Sequence, residues 1–192
     1  MRQVKVAVRT SFLGVALVVC GALAAGCGDG SGDDLVSASD IPVAYTPLPG
    51  GYGETMPDPI LARCNEPLVP EAPDLRGIWK TVSASVDGEP VSSDHPVLEH
   101  VERVEQCGDR VVVTSTGVIH DMRADGTLEN GVHDVSAINF QPIRVVATFE
   151  DGALVLRPDG VQGIEVTRAR DGAEMVWHYG PSLVVRLERI DD

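Results

Sequence analysis

Six Asx-Gly pairs, Asp87-Gly88, Asp125-Gly126, Asn130-Gly131, Asp151-Gly152, Asp159-Gly160 and Asp171-Gly172, constrain this chain more than any other feature. Glycine adopts positive φ without a Cβ penalty, and Asp and Asn tolerate it, so such pairs favour two-residue hairpin turns. Between them apolar residues alternate, as half-buried strands require. Ile143, Val145, Ala147 and Phe149 share one face, with Arg144, Thr148 and Glu150 on the other. Leu154 and Leu156, then Met175, Trp177 and Tyr179, then Leu183, Val185 and Leu187 repeat the pattern. The expected fold of residues 76–192 is therefore all-β, an antiparallel meander of about eight to ten short strands. Such a meander leaves two unpaired edges unless it closes, which makes a small up-and-down barrel the economical solution.

Closure has a sequence signature. Gly77-Ile78-Trp79 opens the first strand, and residues 183–190 form the last. With an even number of strands the two lie antiparallel, so the start of one meets the end of the other. Arg189 shares a face with Leu183, Val185 and Leu187 and is placed to lie over the Trp79 ring as a cation-π pair. In Gly77, Trp79 and Arg189 the domain resembles the calycin superfamily, the lipocalin-like barrels, where a first-strand Gly-x-Trp packs on an arginine from the last strand. The resemblance implies a lipocalin-like barrel. Met175, Trp177 and Tyr179 are the candidate wall of a cavity for a small apolar or amphipathic ligand. Valines and the few rings could equally fill the barrel solid.

Residues 95–107 admit two readings. Asp94, Pro96 and Gly108 have the placement of N-cap, first helical residue and stop for a helix bearing Leu98, Val101 and Glu105. A strand from about His100 into a turn over Gln106 to Arg110 is favoured, because Val111, Val112 and Val113 follow.

The chain begins differently. Arg2, Lys5 and Arg9 precede an apolar run from Phe12 to Ala25 that ends in Ala24, Ala25, Gly26 and Cys27. This has the form of a secretory leader, and the run is shorter than the roughly 20 residues of a spanning helix. It resembles a bacterial lipoprotein signal, cut at a small-residue lipobox just before a cysteine that becomes diacylglycerol-modified. That resemblance implies a signal peptide over residues 1–26 and lipidation at Cys27, with Ala24 standing where leucine is commonest. Cys27 to Asp34 is a glycine, serine and aspartate tether. Residues 35–75 form an arm with eight prolines, which neither a long helix nor a central strand accommodates. It is expected to lie extended against the barrel, with one helical turn near Ile60. The implied site is the cell envelope outside the cytoplasm, and Gly28 after the cysteine favours the outer membrane where a cell has one.

Cys64 and Cys107 remain for each other, either as a disulfide pinning the arm in an oxidising compartment or as two buried thiols. The net charge is −14, and −17 without the three basic residues of the first 26. Charge-driven binding of nucleic acid is thereby disfavoured.

Signals for chemistry are sparse. His120-Asp121 and His133-Asp134 could sit on neighbouring strands as zinc ligands, or simply end strands in polar turns. Asp29, Ser31 and Asp33 have calcium-loop spacing, but Asp34 occupies the glycine position and Asp40 the glutamate position. No nucleophile elbow and no phosphate-cradling loop occurs, so neither a catalytic site nor a cofactor is expected. The expected function is that of a membrane-anchored lipoprotein whose barrel binds a small apolar molecule. The alternative is a solid barrel that contacts another envelope protein.

Overall fold

The structure is a computed structural model, described here for residues 34–47, 56–137 and 139–190. The leader, Cys27 and most of the tether lie outside the described residues. A compact unit spans Asp33–Asp192. Its strands are β1 (Gly77–Val86), β2 (Glu89–Pro90), β3 (Val101–Cys107), β4 (Arg110–Ser115), β5 (Val118–Arg123), β6 (Val132–Val135), β7 (Pro142–Glu150), β8 (Ala153–Pro158), β9 (Val166–Asp171), β10 (Glu174–Tyr179) and β11 (Leu183–Arg189).

The fold is an all-β, nearly closed antiparallel barrel. Strand order is β5-β4-β3-β1-β11-β10-β9-β8-β7-β6, with the two-residue β2 attached only to β1. Ten strands thus run round the wall, within the expected number. First and last strands meet as anticipated: β1 and β11 form an antiparallel ladder, with a register shift between Thr81 and Ser83, in which Trp79 faces Arg189.

Short loops at one end decide the shape. Gly108-Asp109, Asp151-Gly152 and Gly172-Ala173 close two-residue hairpins there. Both Asp151 (φ 49) and Gly152 (φ 76) are left-handed, as an Asp-Gly hairpin turn demands. Asp87-Gly88 makes the same kind of turn at the opposite end. The other Asx-Gly pairs depart from the expectation. Asp125-Gly126 and Asn130-Gly131 both fall in the longer β5–β6 loop, and Asp159-Gly160 opens the β8–β9 loop. Gly131 is required for packing, since a Cβ there would run into the Val145 carbonyl.

Inward residues form one core: Trp79, Val104, Val111, Val113, Met122, Val132, Val145, Ala147, Leu154, Leu156, Met175, Val185 and Leu187 are buried together. Leu75 plugs the short-loop end. Its carbonyl accepts the Trp79 Nε1–H at 2.7 Å, and its own N–H donates to Gln106 Oε1 at 2.6 Å. Gly77 makes that entry feasible, because its φ of 135° is closed to most side chains.

The arm is a second layer. Ala38 and Leu61 bury against the outward faces of Val112 and Ile119, and Cys64 is bonded to Cys107 with a Cα separation of 6.2 Å. The disulfide reading therefore holds over the free-thiol alternative. Turns over residues 60–63 stand where one helical turn was expected. Proline-rich backbone cannot satisfy itself, so strand side chains do it. Glu105 accepts from the N–H groups of Ile60 (3.0 Å) and Leu61 (2.6 Å). Arg110 donates to the carbonyls of Ala38, Ile41 and Pro42 at 2.6–2.9 Å while paired with Asp121.

Among the described residues no ladder joins β5 to β6. Thr46 of the arm fills part of that seam: its Oγ1 accepts from the Ile119 N–H (3.0 Å) and donates to Asp134 (2.8 Å). Further along, the β5–β6 loop spans the gap through an Asp125–Thr148 bridge and a Gly126 N–H to Ala147 carbonyl bond of 2.9 Å.

In residues 95–107 each reading has a share. Pro96–Glu99 is a single 3-10 turn capped by His95, not Asp94, and the strand begins at Val101. Val101 and Glu105, assigned to the helix in the alternative, are strand residues.

Candidate functional site

The end of the barrel opposite Leu75 carries the connections over residues 91–100, 136–141, 159–165 and 180–182, together with the two-residue turns Asp87-Gly88 and Thr116-Gly117. Along β10 the candidate wall residues form a gradient toward it. Met175 is fully buried, Trp177 half-buried, and Tyr179 is 37% exposed. All three share a face because they alternate on one strand. Met175 belongs to the packed core, so only Trp177 and Tyr179 line this mouth. Their rings meet edge to face at 6.4 Å.

Beneath the mouth a charged pair crosses the lumen. Glu102 of β3 is fully buried and takes two hydrogen bonds from Arg168 of β9, 2.7 and 2.8 Å. Burial opposes the charge on Glu102, yet the Arg168 guanidinium and the His100 hydrogen bond hold the carboxyl well below the usual range. His100 Nε2 lies 3.1 Å from Glu102, and its ring packs on Trp177 with centroids 5.1 Å apart. Arg168 sits over the same Trp177 ring, 5.2 Å from its centroid.

His120 adds the third side of the site. Burial pushes its imidazole down to about 4, with the Arg168 charge acting the same way against Asp134 and Glu102, so the ring is neutral at pH 7. Its Nδ1, the Trp177 Nε1–H and Thr81 Oγ1 are buried without a hydrogen-bond partner among the described residues. Such atoms are uncommon and costly, about 1–3 kcal/mol each.

The remaining sequence candidates are distributed as follows. The Arg170 guanidinium lies over the Trp79 ring, 4.8 Å from its centroid. Arg189 is the partner of Trp79 in register, exposed, with its charge acting on Asp74. The two histidines of the zinc reading are not brought together for a metal: His120 is turned into the barrel, while His133 is exposed and bonded to the Leu128 carbonyl. Asp121 is taken by Arg110 and Asp134 by Thr46. No group of three metal-ligating side chains occurs among the described residues. Asp40 of the calcium reading closes a capping box with Ser37.

His100, Glu102, Thr81 and Arg168 were not singled out from sequence. The signal was there in part, because Glu102 alternates with Val104 and Arg168 with Val166, putting charge on the apolar face. Two cavities lie outside the lumen. One, about 300 Å³, is lined by the arm at Tyr45 with Arg123 and His133; the other, about 490 Å³, lies between the 159–165 and 180–182 loops.

No protein-family model matches the chain, and no curated protein matches it. Among solved structures, human cRBP IV is similar over 61% of this chain and 98% of its own, at 13% identity and a TM-score of 0.45. At that level the likeness carries nothing about what this chain binds.

Proposed function

We propose that this chain is a non-enzymatic lipoprotein of the cell envelope, anchored through Cys27, whose barrel holds a small apolar or amphipathic molecule at its looped end. The observation that carries the reading is the pair of buried, unpartnered ring nitrogens, Trp177 Nε1 and His120 Nδ1, on either side of the Glu102–Arg168 bridge. A guest with a polar head would satisfy them, while Trp177 and Tyr179 offer its tail an apolar wall. The lipid anchor rests on the leader sequence alone.

A second reading has its own support. Trp79, Leu154, Met175 and Leu187 are wholly buried in the lumen, as in a solid barrel that works by contact with another envelope protein. Native mass spectrometry of residues 28–192, exported in the native host and purified without detergent, separates the two. A bound excess mass of lipid size supports the binding function. A bare mass that persists after lipid extract is offered supports the contact function instead.

A further inference from the structure

The bridge beneath the mouth determines more than stability. Inside a lumen lined by valine, leucine and methionine, Arg168 is the cation nearest the mouth, and a free carboxylate entering from solvent would be drawn to it. Glu102 already occupies it in the bidentate geometry that a guest carboxylate would use, at 2.7 and 2.8 Å. His100 Nε2 lies 3.1 Å from Glu102 Oε2, the same oxygen that accepts from Arg168 Nη2. An anionic guest would therefore face a buried negative charge, with the Arg168 guanidinium beside it already taken. What the lumen leaves unsatisfied is uncharged: an indole N–H that needs an acceptor, a neutral imidazole nitrogen, and the Thr81 hydroxyl, which shares the inward face of Trp79 beside His100.

Resting on the binding function proposed above, we infer that Glu102 sets the charge selectivity of the barrel, which takes an uncharged amphiphile with a hydroxyl or carbonyl head and refuses a free carboxylate. The head accepts from Trp177 Nε1–H and exchanges hydrogen bonds with His120 and Thr81. Glu102 acts through Arg168, so it is a specificity-determining residue that need not touch the guest.

Two probes with the same tail, 1-decanol and decanoate, test this on residues 28–192 at pH 7.5, where decanoate is ionised. The chain has two tryptophans, so the indole region of a ¹H–¹⁵N spectrum holds two signals. Trp177→Phe assigns them, and Trp79, bonded to Leu75 at the far end, serves as the internal reference. Decanol is expected to move the Trp177 signal at concentrations at least tenfold below those decanoate needs. In Glu102→Gln, decanoate binding is expected to strengthen at least tenfold while decanol binding changes little. Wild-type chain that binds decanoate as tightly as decanol overturns the selectivity and leaves the binding function standing. Wild-type chain that binds neither overturns both. The wild-type comparison decides the question even if Glu102→Gln loses the Trp79 reference signal and so its fold.

Discussion

Glu102 and Arg168 are 66 residues apart in sequence and meet across the barrel in a two-bond ion pair, with Glu102 wholly buried. The strands that carry them, β3 and β9, are separated by β1, β11 and β10 in the wall. The pair therefore fastens opposite sides of the lumen.

Removing one partner leaves the other charged, buried and alone. Glu102→Gln or Arg168→Met is expected to lower stability by about 3–5 kcal/mol, whereas Glu102→Leu combined with Arg168→Met should recover most of the loss. Urea unfolding of the three variants measures both outcomes. Equal destabilisation by the single and double variants would show that the bridge contributes net stability.

His120 makes stability depend on pH. Its folded value of about 4 lies below the ordinary 6.5, so between those limits the unfolded chain binds a proton that the folded chain does not. Stability is accordingly complete above pH 6.5 and falls toward pH 4, by roughly 3 kcal/mol. Glu102, also depressed, adds its own loss as the pH drops below about 4.5. The urea midpoint between pH 7 and 5 should slope in the wild type and flatten in His120→Gln.

The Cys64–Cys107 disulfide closes a loop with a sequence separation of 43. Cys64→Ala with Cys107→Ala is expected to cost about 4 kcal/mol on the chain-entropy account. Thermal unfolding with and without reductant checks it: reductant should lower the wild-type midpoint and leave the double variant unmoved.

Thr46→Val keeps the shape of the arm and removes the hydroxyl that Ile119 and Asp134 share. A loss of about 1–3 kcal/mol is expected. The Ile119 amide is the local reporter, and its hydrogen exchange should accelerate more than that of Val185 on β11, which lies well inside the sheet.

Sequence made the barrel legible where structure is local. Hairpin turns such as Asp87-Gly88 and Asp151-Gly152 carry their geometry in two residues, and the meeting of the start of the first strand with the end of the last follows from strand parity. The arm was legible as an extended segment, but not its attachment. Glu105, Arg110 and Asp121 look like a solvated strand face, and only the folded chain shows them holding the backbone of a proline-rich strap. The mouth was half visible for the same reason. Trp177 and Tyr179 announce themselves by size, whereas the Glu102–Arg168 bridge depends on which strands oppose one another, and that is a property of the closed wall.

The gap between β5 and β6 has a consequence for solubility. Without Thr46 and the residues that carry it, β5 would present free N–H and C=O groups along an edge backed by Val118 and Ile119, the kind of surface on which a second copy adds a strand. The arm is thus also a guard against self-association. A chain shortened to begin at residue 76 would retain every ladder of the barrel and still be expected to aggregate.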